Sequence, residues 1–404
     1  MTRYDLLKGV TVVEVAQLGP SALGGHLADM GARVIKVEQP PLGDPIRHNG
    51  AMAIGDPEGV GFLHLRWNRG KESIAIDLHD PDGAALFRQI AASADIVIDG
   101  QRAGALDRLG LGFDALRSAR ADLVFCSLSG FGLSGPYHAL GSHAPAFDAF
   151  GGLARIAPDE RPGEGPVQPA IGMYAMGLYA AMGVLAALTR ARATGEGALI
   201  EVAAADAAAN WSADTVDAAL NADRCMPRAG FADSEGRMFH WPRMAQYAAQ
   251  DGKVIFFQAY KDKFWTRFCD AIDRPDLLAM KAGPDGPAAY HERLWSSLKA
   301  IFRTRDRAEW LALFADEAIP GHPANRPDEV AQDPHFLARG CFYDSQSPAM
   351  GPLRLTGTAV KIWGQAFAPD PAPAMGQHSD ALIAEFAPAL IQQMTDLRAR
   401  GVVA

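Results

Sequence analysis

Residues 166–202 read PVQPAIGMYAMGLYAAMGVLAALTRARATGEGALIEV, and they set the fold class. A turn gives way to a run, Met176 to Leu188, made almost wholly of Ala, Gly, Leu, Val, Met and Tyr. A helix that is apolar on every side is a buried helix, and its small residues let a neighbouring backbone come close. Thr194-Gly195-Glu196-Gly197 ends it, as glycine commonly does past a helix C-terminus. Ala198–Val202 follows as a short strand. The run is too short and too interrupted to be expected to cross a bilayer.

Upstream the same alternation of strand and helix repeats. Val10–Ala16 reads as a strand, Gln17-Leu18-Gly19-Pro20 as a turn, Ser21–Met30 as a helix closed by Gly31, and Arg33–Glu38 as the next strand. Connections this short imply a right-handed parallel crossover. The turn lacks the glycine-rich dinucleotide fingerprint, so no NAD site is expected. Gln39–Pro57 is a loop, Ser73–Leu78 a strand, Pro81–Ala91 a helix, Ile96–Asp99 a strand. Gly104–Leu109 starts a helix, and Leu123–Leu128 is a strand ending at Ser129-Gly130-Phe131-Gly132. An open α/β sheet is the expected result. Its ligand would lie at the carboxyl ends of the strands, at Ala16–Gly19, Glu38–Asp44, Asp99–Arg102 and Ser129–Gly132.

After Asn210 the texture changes. Met226–Tyr247 reads as irregular, Val254–Ala259 as a strand, and Asp262–Ile272, Leu294–Phe302 and Arg307–Glu317 as helices. The expected domains are a large α/β domain over 1–225 and a small α+β domain over 226–345. Residues 346–404 form a linker and a segment returning to the large domain, with strands in Gly351–Trp363, a rigid Pro369–Pro373 stretch and a helix over Ser379–Arg398.

The 404-residue chain is 49% hydrophobic and 21% charged, as an ordinary globular enzyme is. A net charge of −9 argues against a nucleic-acid partner. Neither a signal peptide nor a membrane-spanning stretch is read. The four cysteines, Cys126, Cys225, Cys269 and Cys341, are widely spaced, without metal-type pairing. They read as reduced thiols of a cytoplasmic protein, and no metal is expected.

Cations gather near the expected strand ends: Lys36, Arg47, Arg69, Lys71, Arg102 and Arg108. In an acidic protein such a set could hold a phosphorylated ligand; the alternative is a set of solvated surface charges. His143, in Gly141-Ser142-His143-Ala144-Pro145, is a candidate general base or a turn histidine. Asp148, inside an apolar run, is a helix cap or a poised carboxylate, and the cap is the commoner role. No histidine neighbours a cysteine, and no nucleophile elbow is present. Trp241, Phe239 and Tyr247 hint at a bulky acid as substrate, or at core packing.

The ordered motifs resemble those of the class III CoA transferases, the family that includes formyl-CoA and carnitine CoA transferases and the α-methylacyl-CoA racemases. The matching stretches run from Leu7-Lys8-Gly9-Val10-Thr11-Val12 through Gly31–Glu38, Gly43-Asp44-Pro45, Asn68–Ile74 and Gly104–Gly110. They continue through Ser129–Tyr137, Gly177–Ala181, Thr194–Gly197 and Asp333-Pro334-His335-Phe336 to Gly376-Gln377-His378. Each is weak alone; their order is specific. The resemblance implies a Rossmann-like large domain, a small domain, a pocket between them, and a dimer of interlocked rings. It implies CoA or acyl-CoA along the strand ends, with contacts at Gln17, Leu18, Lys36, Glu38 and Gln39. Gly100, Gln101, Arg102 and Arg108 would form the pantetheine and phosphate wall, and Arg47, Arg69, Lys71 and Ser129 complete the candidate set.

The family's transferases carry an aspartate just before the buried helix. Its carboxylate attacks the thioester, forms a mixed anhydride and carries CoA to the acceptor acid. Here the matching stretch is Ile171-Gly172-Met173-Tyr174-Ala175-Met176-Gly177, and Met173 falls on the aspartate. A thioether can form no anhydride and shuttle no proton. The racemases' Gly-His-Asp pattern falls on Ser142-His143-Ala144, and their second-domain glutamate falls near Lys261. Three readings stay open. The chain is the subunit without a nucleophile in a heteromeric transferase of the benzylsuccinate type, paired with a homologous chain carrying the aspartate. Or it is a homomeric racemase- or isomerase-like enzyme using His143, with Asp148 beside it. Or it is a CoA-binding protein without catalysis. An engineered change at Met173 or Ala144 is a further possibility.

Overall fold

The computed structural model describes residues 4–53, 59–154, 156, 158, 170–224, 241–347 and 350–404. It divides into two compact units, Met1–Val216 with Gly340–Ala404, and Asp217–Arg339. The expected boundary at 225/226 lies outside the described residues, as do Cys225, Phe239 and the turn before Ala170.

The first unit is built in the order β1 (Thr11–Ala16), α1 (Ser21–Asp29), β2 (Arg33–Glu38), β3 (Met52–Ala53), β4 (Val60–Gly61), α2 (Phe62–Asn68), β5 (Glu72–Ala75) and α3 (Pro81–Ala91). It continues with β6 (Ile96–Gly100), α4 (Ala105–Arg108), α5 (Phe113–Arg117), β7 (Val124–Ser129), α6 (Ala146–Phe150), α7 (Ile171–Thr194), β8 (Ala198–Ala203) and α8 (Ala204–Trp211). Six strands form one parallel sheet in the order β5-β2-β1-β6-β7-β8, while β3 and β4 pair in the loop. The Val/Ile-rich runs of β1 and β2 suit strands covered on both faces. Side chains alternate between those faces. Val13, Val15, Ile35, Val97 and Phe125 pack with Leu86, Phe87 and Ile90 of α3. Val12, Val34, Ile96 and Ile98 pack with Leu23 and Leu27 of α1 and with Ala175, Met176, Ala180 and Val184 of α7. After β5 the chain crosses to the other side of β1, so the strand order reverses between β1 and β6. Ligands of open α/β sheets bind outside the carboxyl ends at such a reversal.

The helix α7 departs from the sequence expectation in two ways. It has 24 residues, about 36 Å at 1.5 Å per residue, and is long and apolar enough to pass for a membrane span by length and composition. It is also not covered all round. Gly172 lies against Asp148 of α6 and Ala204 and Ala208 of α8, and Ala175, Met176, Gly177, Ala180 and Val184 pack toward the sheet and α1, whereas Tyr174, Leu178 and Met182 are exposed. Small residues lie where backbones meet, and the larger ones lie outside.

The edge strand β5 is sealed by the returning segment. The Ser73 N–H donates to His378 Nδ1 (3.1 Å), and the His378 N–H donates to the Ser73 carbonyl (2.9 Å). The Ala75 N–H donates to Ser379 Oγ (3.2 Å), and the Asp77 N–H to the Val402 carbonyl (2.9 Å). The helix expected over Ser379–Arg398 is broken: it ends at Phe386, a 3-10 turn covers Pro388–Gln393, and a second helix covers Met394–Ala399. Pro388 cannot continue the helix. Phe342–Ser347 and Gly351–Thr356 pair as a hairpin.

The second unit has a three-stranded antiparallel sheet in the order Gly321–Ala324, Val254–Gln258, Met244–Ala248. Met244–Ala248 falls in a stretch expected to be irregular. Helices Asp262–Ala271, Gly286–Phe302 and Arg307–Asp316 supply an aromatic core with Phe268, Phe302, Trp310 and Phe314 around Phe257. Tyr247 belongs to it, 2% exposed, stacked on Phe302 with centroids 4.7 Å apart, its hydroxyl donating to the Pro242 carbonyl. It is a core residue rather than a substrate contact.

Candidate functional site at the strand-order reversal

The turn after β1 and the end of β6 lie against each other. A Cβ on Gly100 would come 2.6 Å from Pro20 Cβ and 2.7 Å from Ala16 Cβ, so only glycine allows this approach. Gln101 donates its N–H to Asp99 Oδ1 (2.9 Å) and its Nε2 to the Val15 carbonyl (3.4 Å). Leu18 has φ 54°, a left-handed conformation unusual for a branched side chain. Its N–H donates to Asp44 Oδ1 (3.0 Å). Beyond β7, the Gly132 N–H donates to Ser129 Oγ (2.9 Å), and Phe147 packs where a Gly130 side chain would be.

The amino end of α7 meets this turn. The Met173 methyl lies so close over Gly19 that a Cβ there would be 1.9 Å away. Asp148 is buried on α6, and its two oxygens accept the Ile171 N–H (2.8 Å) and the Gly172 N–H (2.7 Å). The cap role is therefore realised, on α7 rather than on its own helix. Capping carboxylates are worth about 1 kcal/mol and complement the helix dipole. His143 is exposed, and its imidazole makes no hydrogen bond among the described residues.

Four of the six candidate cations are internal, a correction to their reading as ligand contacts. Lys36 and Lys71 are buried and share Glu14, at 3.2 Å and 2.8 Å. Arg47 is paired with Glu38 at 2.6 Å, and Arg69 with Asp29 at 2.6 Å. Cations so placed balance buried carboxylates instead of facing a phosphate. Glu38 is likewise buried in this network, while Gln39 is exposed. Arg102 and Arg108 remain exposed at the β6 end. Arg108 reaches only the Ala103 carbonyl (3.5 Å), and neither has a carboxylate partner among the described residues.

The network carries perturbed titrations. Burial would raise Glu38, but the Arg47 guanidinium outweighs it and holds the carboxyl at about 2. Burial lowers the Lys71 ammonium to about 8. Burial would lower Lys36 too, but Glu14 and Asp44 prevail and raise it. The Cys126 thiol is pushed up to about 12 by burial, an inert thiol. Cys269 and Cys341 are also free.

Asp99, at the end of β6, was not anticipated as notable. Burial raises its carboxyl from 3.8 to about 6. A raised carboxyl favours the fold below its unfolded value, and that contribution is lost as pH rises through about 6. Asp99→Asn keeps an acceptor for the Gln101 N–H without the buried charge. It is expected to stabilise the protein by about 1–3 kcal/mol at pH 7.5 and by little at pH 4. Thermal melts at the two pH values measure this; an equal effect at both would refute it.

Glu14 and Asp44 were also missed as site residues. The signal was present: Glu14 and Lys36 interrupt apolar runs at positions facing the same side of adjacent strands. No group of three or more His, Cys, Asp or Glu able to hold a metal occurs among the described residues.

The profile of CoA-transferase family III matches residues 7–379. The human succinyl-CoA:glutarate CoA-transferase is 28% identical over 410 residues, covering 100% of this chain and 91% of the relative. The alpha subunit of succinyl-CoA–L-malate CoA-transferase of Chloroflexus aurantiacus is 28% identical over 418 residues (98% of this chain, 92% of the relative). The beta subunit of that transferase is 28% identical over 407 residues, 98% of each chain. A CAIB/BAIF family protein from Brucella suis has a crystal structure that superposes with a TM-score of 0.76 at 28% identity, covering 94% of this chain and 98% of that one. With the parallel sheet, the strand-order reversal and the profile all in agreement, this chain belongs to CoA-transferase family III.

Proposed function

We propose that this chain binds an acyl-CoA thioester across the carboxyl ends of β1, β6 and β7, and works as the nucleophile-free subunit of a heteromeric CoA transferase. The carrying observation is Met173, a thioether seated over Gly19 at the strand-order reversal. At that position a carboxylate would meet a thioester; a thioether cannot exchange acyl groups. The ligand wall of this reading is Gln17, Leu18, Gly100, Gln101, Arg102, Arg108 and Ser129, with the two exposed guanidiniums toward CoA phosphates. Unlike subunits have a precedent among the relatives, one being named an alpha and another a beta subunit of a single transferase. The exposed apolar side of α7, with Tyr174, Leu178 and Met182, suits cover by a related chain in a dimer.

The purified chain is expected to bind CoA in calorimetry yet catalyse no exchange between succinyl-CoA and a dicarboxylic acid. Exchange should appear on co-expression with a homologous chain that has aspartate at the matching position. Enzyme-like exchange by the chain alone would overturn this reading, as would absence of CoA binding.

A further inference from the structure

We infer that Asp44 is a positioning residue: a buried carboxylate that sets the conformation of the Gln17–Pro20 turn and thereby the shape of the thioester seat. The inference rests on the reading above that CoA lies at this turn.

The side chain works in two directions. Oδ1 accepts the Leu18 N–H (3.0 Å) and the Ile46 N–H (3.0 Å), so it bridges the β1–α1 turn to the loop after β2. Oδ2 lies 2.9 Å from Lys36 Nζ and accepts Ser21 Oγ (3.2 Å). The Asp44 N–H in turn donates to Glu38 Oε2 (3.0 Å). Lys36 is anchored from the other side by Glu14 (3.2 Å) and the Ala16 carbonyl (2.7 Å). Asp44 is 1% exposed, so its charge is turned wholly inward.

The consequence is local to the turn. Leu18 is the one residue of the turn held at positive φ, a conformation that persists only where its surroundings impose it. The acceptor imposing it is Asp44. Leu18 lies between Gln17, which would contact CoA, and Gly19, on which Met173 rests. Relaxing Leu18 therefore moves both the ligand wall and the floor beneath position 173. Asp29 supplies the contrast. It is equally buried and doubly bonded to Arg69, at 2.7 Å and 2.6 Å, but touches no residue of the turn.

The experiment compares Asp44→Asn with Asp29→Asn in the full chain, measuring CoA affinity by calorimetry and stability by thermal melt. An amide at 44 can serve Leu18 or oppose the Lys36 ammonium poorly, not both. The expected result is a CoA affinity at least tenfold weaker for Asp44→Asn, under conditions where the variant is folded, and affinity within twofold of the parent for Asp29→Asn at a comparable loss of melting temperature. If Asp44→Asn binds CoA as the parent does, or both variants lose affinity alike, the positioning role is refuted. If the parent binds no CoA, the functional reading fails instead. Should Asp44→Asn not fold, Leu18→Gly tests the same point. Glycine adopts positive φ without an imposed partner, so with the Asp44–Lys36 pair intact Leu18→Gly should keep CoA affinity within about threefold of the parent, while Leu18→Pro, which has no N–H for Asp44 to accept and a φ held near about −65°, should weaken it at least about tenfold; equal affinity of the two would refute the proposal.

Discussion

Met173→Asp is expected to give this chain a carboxylate that forms a covalent adduct with acyl-CoA. Position 173 is the third residue of α7, in the first turn, where the helix dipole favours an anion. Shortening the side chain also clears the space over Gly19 now filled by the Met173 methyl. The introduced carboxylate oxygen would attack the thioester carbon; a C–O bond forms, the C–S bond breaks, and CoA leaves as its thiolate. Removing a nucleophile from a preorganised site costs on the order of 10⁴–10⁶ in rate. Restoring one to a site not tuned for it should recover on the order of 10²-fold over the parent chain. Intact-mass spectrometry after incubation with succinyl-CoA would detect the adduct, and hydroxylamine should release it. An adduct on the parent chain, or none on the variant despite intact CoA binding, would count against the assignment of this position.

The largest expected loss of stability is at Glu14. Glu14→Gln leaves Lys36 and Lys71, both fully buried, without the carboxylate they share. Breaking a buried ion pair from one side costs about 3–5 kcal/mol, a large part of a typical folding free energy of about 5–15 kcal/mol. The sequence also fits the pair to its surroundings: a Cβ at residue 24 would lie 1.8 Å from Glu14 Oε2, so Gly24 makes room for the carboxylate under α1. The sign of the pH dependence follows from Lys71. Its folded value, about 8, is below the ordinary 10.5, so its favourable contribution is complete above 10.5 and is lost as pH falls through about 8. The Gln variant should therefore lose less stability at pH 9 than at pH 7. Urea unfolding at both values measures it; a loss below about 1 kcal/mol at pH 7 would contradict the buried-pair account.

The strands and their order of appearance were readable because buried parallel strands announce themselves as short Val/Ile runs between turns, as in Val12–Val15 and Val34–Val37. Strand ends came within a few residues. The extent of α7 was not readable, since its first turn is capped by Asp148, twenty-three residues upstream, rather than by a local residue. The fate of the cations was not readable either. Lysine and arginine near strand ends have the same composition whether they meet a phosphate or a buried carboxylate, and only the register of β1 against β2 brings Glu14 level with Lys36. Arg102 and Arg108, after β6, were separable from the rest only once burial was known.

One feature of the sheet bears on how the protein is made. The outer-side hydrogen-bonding groups of Ser73 and Ala75 in β5, and of Asp77 just beyond it, are satisfied by His378, Ser379 and Val402, roughly three hundred residues further along. During synthesis, every backbone donor along that border stays open until almost the whole polypeptide has left the ribosome. A chain truncated after residue 339 would thus contain every residue of the small unit and a large one whose border strand is left open to pairing with a foreign segment.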